Sequence, residues 1–188
     1  MAAPSNKDTA EDFAVFASAA AYALDALSAV ENSDFERPTP CADWNVRDIA
    51  LHLADVSDAI LDYAQSGTLT APTPRPEDTP EPTVLAQERI TAVIETLTNT
   101  TTSLVWTVHF PAAARAAANE FAAHGWDINS ALGTGQPVPE ATATALLAFI
   151  DGCLGEEERR SSFAPAIPLA STACPSDRFL AYLGRQPS

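Results

Sequence analysis

Apolar residues recur at three- and four-residue steps along most of this chain. Phe13, Phe16, Ala20, Leu24, Leu27 and Val30 share one face of a helix predicted over residues 8–31. The acidic stretch "DTAED" at its start suits the positive end of a helix dipole. Pro38 and Pro40 then interrupt the pattern, because proline has no place inside a helix. Asp43 is the expected N-cap of a second helix over about 44–65. Its stripe is Val46, Ile49, Ala50, Leu53, Val56, Ile60 and Leu61, and His52 lies beside it.

Residues 66–83, "SGTLTAPTPRPEDTPEPT", hold five of the 15 prolines and read as a long crossover loop. A third helix is predicted over 83–98, with Val84, Ile90, Val93, Ile94 and Leu97 inward. Residues 100–110 are rich in β-branched and aromatic side chains and read as extended chain. Pro111 then suits the first turn of a fourth helix, 111–132, stopped by Gly133. A fifth helix covers about 139–155. Residues 161–188 read as a loop and a short capped helix, "SDRFLAYLG". Four substantial helices with a long crossover predict an all-α, four-helix bundle, and nothing repeats at a solenoid period.

Composition narrows the partners. A chain of 188 residues with 46% hydrophobic positions can bury a core as one domain, taken as 1–188. The pieces flanking 66–83 are each too small to fold alone. With 25 acidic against 10 basic residues, the net charge is −15. Such a surface repels phosphate backbones and anionic lipid, so no nucleic acid or membrane partner is expected. No apolar run is long enough to span a bilayer, and "MAAPSNKDTAED" lacks the features of a signal peptide. A cytoplasmic protein is expected, with Cys41, Cys153 and Cys174 as reduced thiols.

The three histidines are His52, His109 and His124. Glu120 and His124, four apart, project from one helix face with Cβ atoms about 6 Å apart. They can share a metal ion if a facing helix supplies a third ligand, although acid–histidine pairs at this spacing are common on ordinary helices. His52 is the candidate third ligand; buried among apolar neighbours it needs a partner, which Asp48, Asp55 or a water could also supply.

Three stretches together resemble a known family. "TPCADWNVRDIALHLADV" (39–56), "NEFAAHGWDINSALG" (119–133) and "SSFAPAIPLASTACPSDRFLAYLGRQP" (161–187) stand in the order seen in a DinB-like group. This actinobacterial branch is similar to the metal-binding N-terminal domain of mycothiol-dependent maleylpyruvate isomerase. The resemblance implies a four-helix bundle in up-down-down-up order with a divalent metal between helices. Carried over by position, it implies His52, Glu120 and His124 as ligands of zinc first, nickel or iron otherwise. Mycothiol is the thiol cofactor it suggests. Two imidazoles and one carboxylate leave coordination positions open, as in a catalytic zinc or facial-triad iron site.

The resemblance implies a thiol-dependent transferase, isomerase or lyase acting on a small molecule. The isomerase carries a second domain needed for its activity, and this chain stops at Ser188, so turnover of maleylpyruvate itself is not expected. The alternative is a metal-free bundle: a binding or resistance protein, or a cyclase or lyase of secondary metabolism that reuses the cavity. Relatives are often dimers, which makes a homodimer an expectation.

His109 replaces a glycine-containing turn of relatives and could act as a fourth ligand, an acid–base group or a plain surface residue. Arg47 could meet an anionic substrate group, or pair with Asp43 or Asp127 to fix the helix entry. Trp126 reads as core packing, and Asp127 as an acceptor behind a ligand or a partner of Arg47. Cys41 precedes a helix N-terminus, where a thiolate would be stabilised.

Overall fold

The computed structural model describes residues 6–68, 70–99, 104–153 and 163–187, with side chains over 10–63, 66–68, 70–99, 113–150 and 163–187. Among the described residues there are six α-helices and no strand. They are α1 (Asn6–Ser28), α2 (Val46–Ser66), α3 (Pro82–Asn99), α4 (Leu104–Leu132), α5 (Glu140–Cys153) and α6 (Pro175–Tyr182). No described helix is long and apolar enough to cross a membrane.

Residue pairs give the helix directions. Asp12 meets Arg115 and Tyr22 meets Gly125, so matched ten-residue steps carry both α1 and α4 the same way. The two helices run parallel and share the most extensive seam of the bundle. Arg47, at the start of α2, donates to the carbonyl of Thr79, just before α3, at 3.2 Å. Helices α2 and α3 therefore also start side by side and run parallel. The proline-rich loop returns along α2 to make this possible. Arg75 pins it midway by ion pairs to Asp55 and Asp58, and the Arg75 N–H donates to Asp55 at 3.3 Å. This is the up-down-down-up order with the crossover between α2 and α3.

The predicted stripes form the core. Phe16 and Leu27 from α1, Ile49 and Leu53 from α2, Ile90 from α3, and Phe121 and Ile128 from α4 are fully buried together. Each large side chain so buried contributes about 1.5–3 kcal/mol. Leu146 of α5 and Phe179, Leu180 and Leu183 of the tail join the same cluster. Gly125 lies at a close approach of α4 to α1, since a Cβ there would stand 3.0 Å from the Tyr22 ring and 3.2 Å from the Ala23 Cα.

Several expectations are corrected. The fourth helix begins at Leu104 rather than 111, so residues 104–110 of the β-leaning stretch are helical and Pro111 lies within α4, while 100–103 lie outside the described residues. Extending an established helix costs far less than starting one, and this outweighs weak local β preference. The N-cap of α2 is Asn45, not Asp43: Asn45 accepts from the Asp48 N–H while Asp48 accepts from the Asn45 N–H. Asp43 instead takes a left-handed turn conformation, φ 66°. Val84 points outward, because Pro82, Ala86, Ile90, Val93 and Leu97 form the buried row of α3.

Candidate functional site

The site lies where α2 faces α4. His52 is one turn and a half into α2, beside the buried stripe that seats the helix. Glu120, His124 and Asp127 lie on successive turns of α4. The His52 Nε2 stands 3.1 Å from Glu120 Oε2, and the His124 Nε2 stands 3.4 Å from the same oxygen. The imidazoles meet edge to face, with centroids 4.9 Å apart at 79°. Their donor atoms and the carboxylate oxygen all lie within 4.8 Å of one another, close enough to hold one metal ion. Thus the partner of His52 is Glu120; Asp48 caps α2 and Asp55 binds Arg75.

A second layer orients this group. Asp127, with no solvent exposure, places Oδ2 3.0 Å from His124 Nδ1. Arg185, itself buried, donates from Nε to Asp127 Oδ1 at 3.2 Å and from Nη2 to Oδ2 at 2.8 Å. With Nδ1–H given to Asp127, the Nε2 lone pair of a neutral His124 faces the Glu120 side. That is how a ligating histidine is held ready.

The electrostatics follow from these contacts. Burial alone would raise the Glu120 pKa, but hydrogen bonds from His124 and His52 hold it well below the carboxylate range. Burial would likewise lower His124, yet Asp127 and Glu120 push it up to about 9. Asp127 is held low against its own burial by His124 and Arg185. The pocket therefore favours positive charge beside two carboxylates. A proton on His124 and a divalent cation compete for that preference. The donor set fits a divalent metal: three neutral or anionic ligands from two helices, with their outer partners already in place.

Trp44 forms one wall. Its ring centroid lies 4.7 Å from that of His52 and 5.6 Å from that of His124, nearly parallel to the latter. The loop that carries it is fixed by an isolated bridge between Pro38 and Asn45 and by the Thr39 hydroxyl, which donates to the Trp44 carbonyl at 2.8 Å. Cys41, in the same loop, forms a second close group with His124 and Asp127. Burial is the main cause that pushes its thiol pKa up, with the Asp127 charge adding to it.

The structure brings His52, Glu120 and His124 together but not Arg47. The Arg47 guanidinium is engaged by Thr79 and lies 4.6 Å above the Phe35 ring, and it pairs with neither Asp43 nor Asp127. The His109 side chain lies outside the described residues. Sequence reading missed Arg185 altogether and gave Trp44 no role. The available signal for Arg185 was a single basic residue closing an apolar tail, "FLAYLGRQ", where burial demands an acid.

Compared with family models, residues 16–129, more than half of the chain, match the mycothiol maleylpyruvate isomerase N-terminal domain. The matched segment contains every residue of the site except Arg185. Neither the comparison with curated proteins nor that with solved structures found a match.

Proposed function

The chain belongs to the family of mycothiol maleylpyruvate isomerase N-terminal domains, a DinB-like helical-bundle group, and from that premise we propose that it is a metal-dependent enzyme. It would act on a small molecule as a thiol-dependent transferase, isomerase or lyase. One observation supports this most: two imidazole Nε2 atoms converge on one carboxylate oxygen, with Asp127 behind His124.

In this reading His52, Glu120 and His124 hold the ion, zinc by preference and nickel or iron otherwise. The metal would supply a Lewis acid that acidifies a bound thiol, mycothiol for instance, or polarises a substrate carbonyl. The protein's own groups do the rest. Asp127 keeps the Nδ1 proton of His124 and so its metal-facing lone pair. Arg185 balances the Asp127 charge. Trp44 covers one side and limits water there. The whole chain is taken as one cytoplasmic domain, working as a homodimer without nucleic acid or membrane partners.

A second reading has its own support. Without metal, Glu120 is satisfied by both histidines and His124 by Asp127, so the network is complete as it stands. A metal-free binding protein would keep it so. Metal analysis of tag-free protein separates the readings. The enzyme reading expects about one bound zinc, nickel or iron per chain, lost in His124→Ala. Wild-type protein that takes up none of these metals at saturating concentration overturns it.

A further inference from the structure

The two histidines of the site are held in different ways. The His124 Nδ1 bonds Asp127 at 3.0 Å, which leaves its Nε2 to the Glu120 side. His52 bonds Glu120 through Nε2 at 3.1 Å. Among the described residues no protein group bonds its other nitrogen, Nδ1. The acids nearest to it along α2 are committed elsewhere, Asp48 to the helix cap and Asp55 to Arg75. A ligating histidine is ordinarily oriented through the nitrogen that the metal does not take. The single hydrogen bond of His52 uses the nitrogen that an ion would take, so it is given up as the ion binds. The torsion that turns an imidazole about its Cβ–Cγ bond is broad and resists little by itself. The His52 side chain is also 25% exposed against 8% for His124, so less packing surrounds it.

What does meet the His52 ring is Trp44. Its centroid lies 4.7 Å from that of His52 with the planes tilted by 55°, and the same indole stacks on His124 at 5.6 Å and 28°. One rigid plate therefore touches both imidazoles, on α2 and on α4. The plate is itself fixed at its backbone. The Trp44 carbonyl accepts from the Thr39 N–H at 3.1 Å and from the Thr39 hydroxyl at 2.8 Å, and the Trp44 N–H donates to the Cys41 carbonyl at 3.1 Å. Asn45, the next residue, is the reciprocal cap of α2, so Trp44 is tied to the helix that carries His52 about two turns further on.

We propose that Trp44 is a positioning residue of the metal site, whose indole face sets the ring plane of His52. The inference rests on the metal-binding reading and deepens it. Trp44 does for His52 by contact what Asp127 does for His124 by hydrogen bond. The two devices differ in effect. A carboxylate behind an imidazole raises its basicity as well as fixing its orientation, whereas a flat apolar wall fixes orientation alone. His124 is thus the stronger of the two nitrogen ligands, and His52 is the one whose contribution depends on being held in place beforehand. The role needs a flat ring at position 44 and makes no use of the indole N–H.

Zinc affinity of the full chain, measured by competition titration, tests this with no assay of turnover. Trp44→Phe keeps a flat ring and should bind zinc within about threefold of wild type, while Trp44→Leu should bind about tenfold or more weakly. Circular dichroism should show the helices kept in both. In a His52→Ala background, titrated at higher zinc, Trp44→Leu should cause no further loss, because the ring through which it acts is gone. Equal affinity in wild type and Trp44→Leu overturns the proposal and leaves the metal reading standing. A loss in Trp44→Phe as large as that in Trp44→Leu does the same, as does an undiminished Trp44→Leu loss in the His52→Ala background. Wild type that takes up no zinc, nickel or iron overturns both.

Discussion

Arg185 and His124 share one carboxylate oxygen: Asp127 Oδ2 is 2.8 Å from the Arg185 Nη2 and 3.0 Å from the His124 Nδ1. The tail of the chain is thereby wired to the centre of the bundle. Removing the arginine leaves a fully buried carboxylate without one of the two groups, His124 and Arg185, that hold its charge. Arg185→Ala is expected to destabilise the protein by about 3 kcal/mol, measured by urea denaturation. A loss under about 1 kcal/mol would mean that the pair is loosely held in solution.

Asp127→Asn tests the orienting role separately from charge balance. The amide cannot hold the Nδ1 proton as a carboxylate does. On the metal-binding reading, zinc affinity should fall about 10- to 100-fold by competition titration, with the fold kept by circular dichroism. Unchanged affinity would remove Asp127 from the site.

The α1–α4 seam predicts a size limit at Gly125. Valine there must push into the Tyr22 ring and the backbone of Ala23, which are already at contact distance. Gly125→Val is expected to cost about 1–3 kcal/mol. Thermal unfolding should show the drop, and the companion Tyr22→Ala/Gly125→Val double variant should recover part of it relative to the sum of the single losses.

Tyr22 predicts the alkaline limit of stability. Burial pushes its pKa up to about 12, and its hydroxyl donates to the Gln136 carbonyl at 2.7 Å. The folded pKa lies above the unfolded value, so the contribution is complete below about pH 10 and is lost as pH rises toward 12. The loss amounts to about 3 kcal/mol as an order of magnitude. Tyr22→Phe should show a flatter stability profile across that window; an equally steep fall would assign it to other groups.

Arg75 predicts how firmly the crossover loop is held. Arg75→Ala removes both ion pairs to α2 and leaves Asp55, only 6% exposed, with a single backbone partner. Limited proteolysis should then cut within residues 70–78, and amide exchange there should accelerate while α2 and α3 keep their protection.

Much of this was legible in the residues. The three- and four-residue steps that define the buried faces of α1 and α2 are a direct imprint of core packing, and Glu120 and His124 had to share a face at their spacing. What escaped was long-range or competitive. Asn45 and Asp43 are equally good caps on paper, and the choice fell to Asp48, which completes a reciprocal pair only with Asn45. The start of α4 depends on propagation from a helix already formed, which local β preference cannot register. On sequence alone Arg47 reads as meeting an anionic substrate group or pairing with Asp43 or Asp127, because its true partner is a loop carbonyl 32 residues away. Arg185 lies 58 residues from Asp127, and no local rule connects a tail arginine to a helix acid.

The two parallel helix pairs also bear on how the chain reaches this state. An antiparallel bundle can grow from neighbouring hairpins, each closing a short loop. Here Asp12 meets Arg115 across 103 positions and His52 meets Glu120 across 68, so the main seam and the site both await distant encounters. Closing such loops is slow before any contact rewards it, and the chain is expected to fold more slowly than an up-and-down bundle of equal length. The His–Glu–His cluster joins two helices that no hairpin connects, so its geometry is complete only once that distant pairing has formed.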